Sequence, residues 1–226
     1  MIKFKNVTKR FGTITALDKV NFEIPDKEFV FITGPSGAGK TTIVKLILRD
    51  YLPTSGKVKV NEYHLDEIAK KELTNLRRNI GVVFQDYRLL FDRTVYENVS
   101  LSLKVLGEKE EKIKTEVDKV LALVGLADRA EFFPSQLAGG ELQRVCLARA
   151  VAAKPKVVIA DEPTGNVDPT TAWQIVKLLK KINELGKTVI MTTHNFEIVN
   201  SLKERVIELD KGKLVSDKKK GKYRVR

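Results

Sequence analysis

"EFVFITGPSGAGKTTIVKLIL", residues Glu28 to Leu48, decides how the rest of the chain is read. An apolar run of β-formers breaks at Gly34-Pro35-Ser36-Gly37 and gives way to a helical pattern from Lys40 through "KTTIVKLILRDYL". The loop Gly34–Thr41 fits G-x-x-x-x-G-K-[ST] in the strand-to-helix setting that its mechanism requires. Glycines there let backbone N–H groups turn inward on a phosphate, and the helix N-terminus adds partial positive charge. Gly34, Pro35, Ser36, Gly37, Ala38 and Gly39 are therefore the expected cradle, with Lys40 reaching the β- and γ-phosphates of a nucleotide. The Thr41 hydroxyl is expected to bind Mg²⁺, and Thr42 completes the binding set.

Outward from this stretch, further apolar runs occur at 79–84 (NIGVVF), 156–161 (KVVIAD), 187–193 (KTVIMTT) and 204–209 (ERVIEL). Uninterrupted runs suit strands covered on both faces. Helical patterns lie between them: in "TTAWQIVKLLKKINEL", Ala172, Ile175, Val176, Leu179 and Ile182 fall on one stripe. Alternating strands and helices predict an α/β domain with a mostly parallel sheet. The openings "MIKFKNV" and "KVNFEI" alternate instead and, with "GKVKV" near Lys57, predict an antiparallel edge sheet. From about 86 to 150 the pattern is helical without strands, which predicts a helical lobe inserted into the core.

The run "VVIADE" supplies a second piece of chemistry. Asp161 ends an apolar strand, where a carboxylate can hold Mg²⁺ directly or through its water. Glu162 follows immediately and can orient or deprotonate an attacking water.

Composition narrows the possibilities. The chain has 226 residues, 42% hydrophobic and 31% charged, enough to bury a core and stay soluble. No apolar run approaches the ~20 residues that span a bilayer, and the start lacks a signal-peptide block, so a cytoplasmic location is expected. Cys146 is the single cysteine, which excludes an internal disulfide and fits a buried, inert thiol. The net charge is +12, and residues 211–226 carry eight basic residues against one acidic, more than half of that excess. Such a basic tail is a solvated, partly frayed terminus or a contact for anionic lipid headgroups.

The phosphate loop, Gln85 after a strand, "LAGGELQR", "VVIADEPTGNVD" and His194 after "VIMTT" occur in the order of the ABC-type ATPases, and together they span nearly the whole chain. The resemblance implies a P-loop NTPase core with an antiparallel β edge sheet and an inserted α-helical lobe, binding and hydrolysing ATP with Mg²⁺. It also implies that two subunits pack head to tail, each ATP lying between one phosphate loop and the partner's Gly139-Gly140. That arrangement explains a glycine pair ahead of a helix, since two N–H groups at a helix start form an anion site. By the same resemblance Phe11 stacks on adenine, although a core aromatic would look the same. Gln85 links Mg²⁺ and the attacking water to the lobe, Asp168 belongs to the dimer-spanning loop, and His194 contacts the γ-phosphate. His64 has no such support and reads as a surface turn residue.

One departure stands out: the family's Ser-Gly-Gly is Ala138-Gly139-Gly140 here. The missing hydroxyl removes a hydrogen bond to phosphate worth about 1.5–3 kcal/mol, so Ala138→Ser is expected to raise turnover or dimer stability. The segment "FQDYRLLFDRTVYENV" further resembles the cell-division branch of the family, whose ATPases act at the cytoplasmic face of the membrane with an integral membrane protein of FtsX type and control cell-wall hydrolysis. Lipoprotein-release and macrolide-export ATPases share most of the same features and are the alternative. Leu89, Leu90 and Phe91 are docking contacts for the membrane partner or core of the lobe. Members acting on DNA or ribosomes carry two cassettes or a long coiled-coil insertion; neither is present, and no nucleic acid partner is expected.

Overall fold

The computed structural model describes residues 1–221 and 223. In chain order its elements are β1 (Ile2–Phe11), β2 (Ile14–Ile24), β3 (Phe29–Thr33), α1 (Lys40–Ile47), β4 (Ser55–Val60), β5 (Tyr63–His64), α2 (Lys70–Arg78) and β6 (Ile80–Val83). There follow α3 (Val95–Val105), α4 (Glu110–Leu123), α5 (Gly139–Ala152), β7 (Val157–Asp161), α6 (Pro169–Glu184), β8 (Thr188–Thr193), α7 (Phe196–Leu202), β9 (Arg205–Asp210) and β10 (Lys213–Lys218). Six strands form one sheet in the order β10-β9-β3-β8-β7-β6, parallel except for β10. The other four form an antiparallel sheet, β2-β1-β4-β5.

The unbroken apolar runs have a direct physical reason. Successive strand side chains point to opposite faces, and here both faces are cores. Phe29 and Phe31 of β3, Val158 and Ala160 of β7, and Val189 and Met191 of β8 pack with α3, α4, α5 and α6. Their alternating neighbours Val30, Ile32, Val157, Ile159 and Ile190 pack with α1 and the antiparallel sheet. Each fully buried side chain of this size contributes about 1.5–3 kcal/mol.

Three local features differ from the sequence reading. Helix α1 ends at Ile47 rather than continuing to Leu52, because Arg49 turns left-handed (φ 59°) and the Asp50 and Tyr51 N–H groups donate back to the Lys45 carbonyl. Helix α2 has no counterpart in that reading, since only Leu76 of its nine residues is buried and the apolar signal is absent. His64 sits in the two-residue strand β5, exposed, rather than in a turn. Between β6 and β7 the chain carries α3, α4 and α5 and no strand among the described residues.

The basic tail is more ordered than a frayed terminus up to Lys218. Strand β10 pairs with β9, and beyond it Tyr223 is buried and exchanges two hydrogen bonds with the Asn200 amide. Lys222 and residues 224–226, which belong to the proposed lipid contact, lie outside the described residues.

Candidate active site

Strand register builds the site. Thr33 of β3 pairs with Thr193 of β8, and Asp161 of β7 pairs with Thr192. Three adjacent parallel strands therefore end at one level, and the next residues (Gly34, Glu162 and His194) emerge side by side. Ligands of open α/β sheets bind beyond the carboxyl ends of the strands, as here. A cleft of about 380 Å³ lies at this edge, lined by Ser36 to Thr42, Gln85, Glu162, His194 and Ala16 of β2. Nothing in the sequence pointed to Ala16.

Gly34 has φ 145°, and a Cβ on it would stand 2.3 Å from the Leu209 carbonyl oxygen, so no side chain fits there. The loop wraps Lys40, which is buried; its Nζ donates to the carbonyls of Gly34 (2.8 Å) and Pro35 (3.1 Å). The same ammonium lies 3.3 Å from Glu162 Oε1, while His194 Nδ1 lies 3.0 Å from Glu162 Oε2. Glu162 is thus held from both sides at the cleft wall, on a left-handed backbone (φ 49°) that a non-glycine residue adopts only when its surroundings impose it. Its own N–H donates to Thr192.

Asp161 lies behind Glu162. Burial pushes its carboxyl above the usual range; the hydrogen bond from Thr192 Oγ1 (2.6 Å) opposes this, the neighbouring charge of Glu162 adds to it, and the Thr41 hydroxyl and Lys40 oppose it more weakly. A buried acid raised in this way gains from a cation. No group of three His, Cys, Asp or Glu side chains among the described residues is arranged to hold a metal ion by itself. The hard oxygens of Thr41, Asp161 and Gln85 suit Mg²⁺, which takes few protein ligands and completes its shell with phosphate and water.

The remaining candidates gather elsewhere and do not line the cleft. Asp168 caps α6, its Oδ1 accepting from the Thr171 N–H at 3.0 Å; the Thr171 hydroxyl first, and then that N–H, lower its carboxyl. Ala138 stands at the N-cap of α5. Glu141 Oε2 accepts from the Ala138 N–H at 3.0 Å, which is one half of a capping box. The other half needs a side-chain acceptor at position 138, and alanine has none.

Neither glycine of the pair has a positive φ. Close approach, rather than backbone freedom, requires them. A Cβ on Gly140 would stand 2.3 Å from Thr171 Cγ2, so a side chain there would force Thr171, and with it the contact of α5 with α6, to shift. At Gly139 the nearest atom to that position is the Tyr87 hydroxyl, at 3.3 Å, followed by the Asn166 carbonyl oxygen at 3.7 Å. Asn166 Nδ2 in turn donates to the Gln85 carbonyl (3.3 Å), tying the Gln85 loop to the segment after β7. Tyr87 and Thr171 carried no signal in the sequence, because contacts across tens of residues leave no local pattern.

Phe11 is 39% exposed, not a core aromatic; it meets Tyr51 edge-on at 5.0 Å with the Lys9 ammonium over its ring. Leu89 enters the core, while Leu90 and Phe91 stay exposed. Cys146 is buried, and its thiol is pushed up to about 12 by that burial, so it remains neutral.

Comparison with known proteins agrees with this geometry. The ABC transporter family model matches residues 17–165. The cell division ATP-binding protein FtsE of Bacillus subtilis is 49% identical over 224 residues, covering 99% of this chain and 98% of that one. The methionine import ATP-binding protein MetN of Mannheimia succiniciproducens is 43% identical, but this chain covers 64% of it. A dimeric, post-hydrolysis structure of the ATP-binding cassette MJ0796 bound to ADP and Pi superimposes with a TM-score of 0.88 at 38% identity, over 99% of this chain and all of that one. With the phosphate loop, the paired carboxylates and the histidine gathered at one sheet edge, the chain belongs to the ABC transporter family of ATPases.

Proposed function

We propose that this ATPase is the ATP-hydrolysing subunit of a cell-division complex of FtsE type, which couples an ATP-driven head-to-tail dimer cycle, through an integral membrane protein of FtsX type, to control of cell-wall hydrolysis. Sequence identity carries the choice of branch: the FtsE proteins of Bacillus subtilis and Mycobacterium tuberculosis are 49% and 46% identical over 99% of this chain, against 43% over 95% for the methionine importer. No helix among the described residues is long and apolar enough to cross a membrane; in this reading the FtsX-type partner holds the chain at the cytoplasmic face.

The observation that carries the chemistry is Glu162 held between Lys40 and His194 at the cleft wall. In this reading the loop N–H groups and Lys40 take the β- and γ-phosphates, and the Lys40 contact with Glu162 lengthens as phosphate arrives. Glu162 accepts a proton from the attacking water, and His194 holds that carboxylate in orientation and meets the γ-phosphate. Mg²⁺, held by Thr41 and Asp161 with Gln85 beside it, would neutralise charge on the phosphates. Phe11, on the same hairpin as the cleft residue Ala16, would stack on adenine. Gly139 and Gly140 of the second subunit close the site, and the N–H groups of this glycine pair at the start of α5 fit that role.

A groove of about 520 Å³ supports a helical partner. It runs between β6 and α3, where Leu101 and Val105 are exposed beside Phe84, and Arg77, Arg78 and Arg88 are among its lining residues. An amphipathic segment with acidic flanks would fill it. Tagged protein solubilised gently from membranes of its own host should bring down a small membrane protein with a large extracellular domain. Val105→Glu should lose that protein and keep ATP hydrolysis. Recovery of a transport permease instead would overturn the cell-division reading and leave the ATP chemistry intact.

A further inference from the structure

The start of α5 lacks one donor, and another side chain of this chain lies against it. The Tyr87 hydroxyl stands 3.3 Å from where a Cβ would sit on Gly139. Helix α5 itself holds Tyr87 there. The Tyr87 carbonyl accepts from Arg149 Nη2 at 2.8 Å and from Cys146 Sγ at 3.2 Å, and the Arg88 carbonyl accepts from Arg149 Nη1. Cys146 and Arg149 belong to the helix that begins at Gly139, so loop and glycine pair form one unit. Tyr87 and Arg88 both adopt left-handed backbone (φ 56° and 52°), a conformation unfavourable for residues with a Cβ and maintained here by these bonds. Burial raises the phenol of Tyr87, which keeps it protonated and a donor at neutral pH.

We propose that Tyr87 donates its hydroxyl hydrogen to the phosphate that the partner subunit presents at Gly139 and Gly140, supplying the bond that a serine at position 138 would otherwise make. Arg149 and Cys146 are positioning residues for it. This inference rests on the head-to-tail reading above. It explains how a chain with alanine at the capping position retains a third donor beside its two glycine N–H groups. It also links the two sites, because the loop that carries Gln85 toward the chain's own nucleotide carries Tyr87 toward the partner's.

The test is a cycle of four proteins, all carrying Glu162→Gln to suppress hydrolysis: the parent, Tyr87→Phe, Ala138→Ser, and both together. ATP-dependent dimer dissociation constants would be measured by sedimentation. Phenylalanine keeps the ring and its packing. With Ala138, Tyr87→Phe should weaken the dimer about a hundredfold, because each homodimer loses two such bonds, each worth about tenfold. With serine at 138 the same change should cost less than about threefold, since the serine hydroxyl shares the load. Equal losses in both backgrounds would mark Tyr87 as packing alone and overturn the proposal, as would no loss with Ala138. If the Glu162→Gln parent itself forms no dimer with ATP, the two-subunit reading fails first and takes this inference with it.

Discussion

In the proposed reading the cleft at the ends of β3, β7 and β8 and the start of α5 both meet phosphate, yet they are finished to different degrees. The cleft is closed within one chain: Lys40 is buried, and Glu162 is braced at 3.3 Å and 3.0 Å by a cation and an imidazole. The helix start is open. Its N-cap is an exposed alanine, half of its capping box is missing, and its glycines owe their place to Thr171 and Tyr87. In the proposed reading, the contrast is that of two halves of one nucleotide site carried on different copies of the chain.

The contrast can be broken most severely from the closed half. Glu162→Gln should lower steady-state ATP turnover by about 10²–10⁴-fold, the usual weight of a general base, while nucleotide binding persists. Next in size is the packing of the open half. Gly140→Ala should destabilise the chain by about 1–3 kcal/mol through overpacking against Thr171, read as a lower midpoint in denaturant. Thr171→Ala in the same chain should restore most of that loss, because it removes the clashing methyl group.

Smaller and opposite in sign is the effect of completing the cap. Ala138→Ser gives the Glu141 N–H an acceptor and should stabilise the free chain by about 0.5–2 kcal/mol. The serine can still donate its own hydrogen to phosphate, so turnover should rise with stability. Equal turnover and equal stability in both proteins would refute both effects of the missing hydroxyl.

The smallest expected effect tests the buried carboxylate of the closed half. Asp161 has a folded-state value raised above its unfolded one, so the folded chain binds the extra proton and loses stability as pH climbs through that interval. Asp161→Asn should therefore melt higher than the parent at neutral pH without nucleotide. The gap should shrink as pH falls below the ordinary carboxylate range, while Mg²⁺-dependent turnover is lost. Calorimetry across pH would read both.

The closed half was legible from the sequence because its parts are consecutive. A phosphate loop, a carboxylate pair and a histidine each follow an apolar run, and parallel register then brings the run ends together. The open half was legible only as a glycine pair before a helix. That Gly140 faces Thr171, or that Tyr87 lies on Gly139, depends on how α5 meets α6 and the Gln85 loop, which no local pattern encodes. Helix α2 escaped for a different reason. It covers a single core position, Leu76, and its remaining residues read as loop.

The most direct test mixes two inactive chains. Lys40→Ala removes the phosphate ligand of the closed half. Gly139→Asp sets a carboxylate against the phosphate at the open half, and an acid at a helix start favours folding. Each variant alone should be inactive, since every site in its homodimer lacks one half. In the mixture, heterodimers hold one site made of the intact loop of one chain and the intact glycine pair of the other. ATP turnover that reappears on mixing is the predicted result. A mixture as inactive as its components, or a Gly139→Asp chain with full activity on its own, would contradict a nucleotide site shared between two subunits.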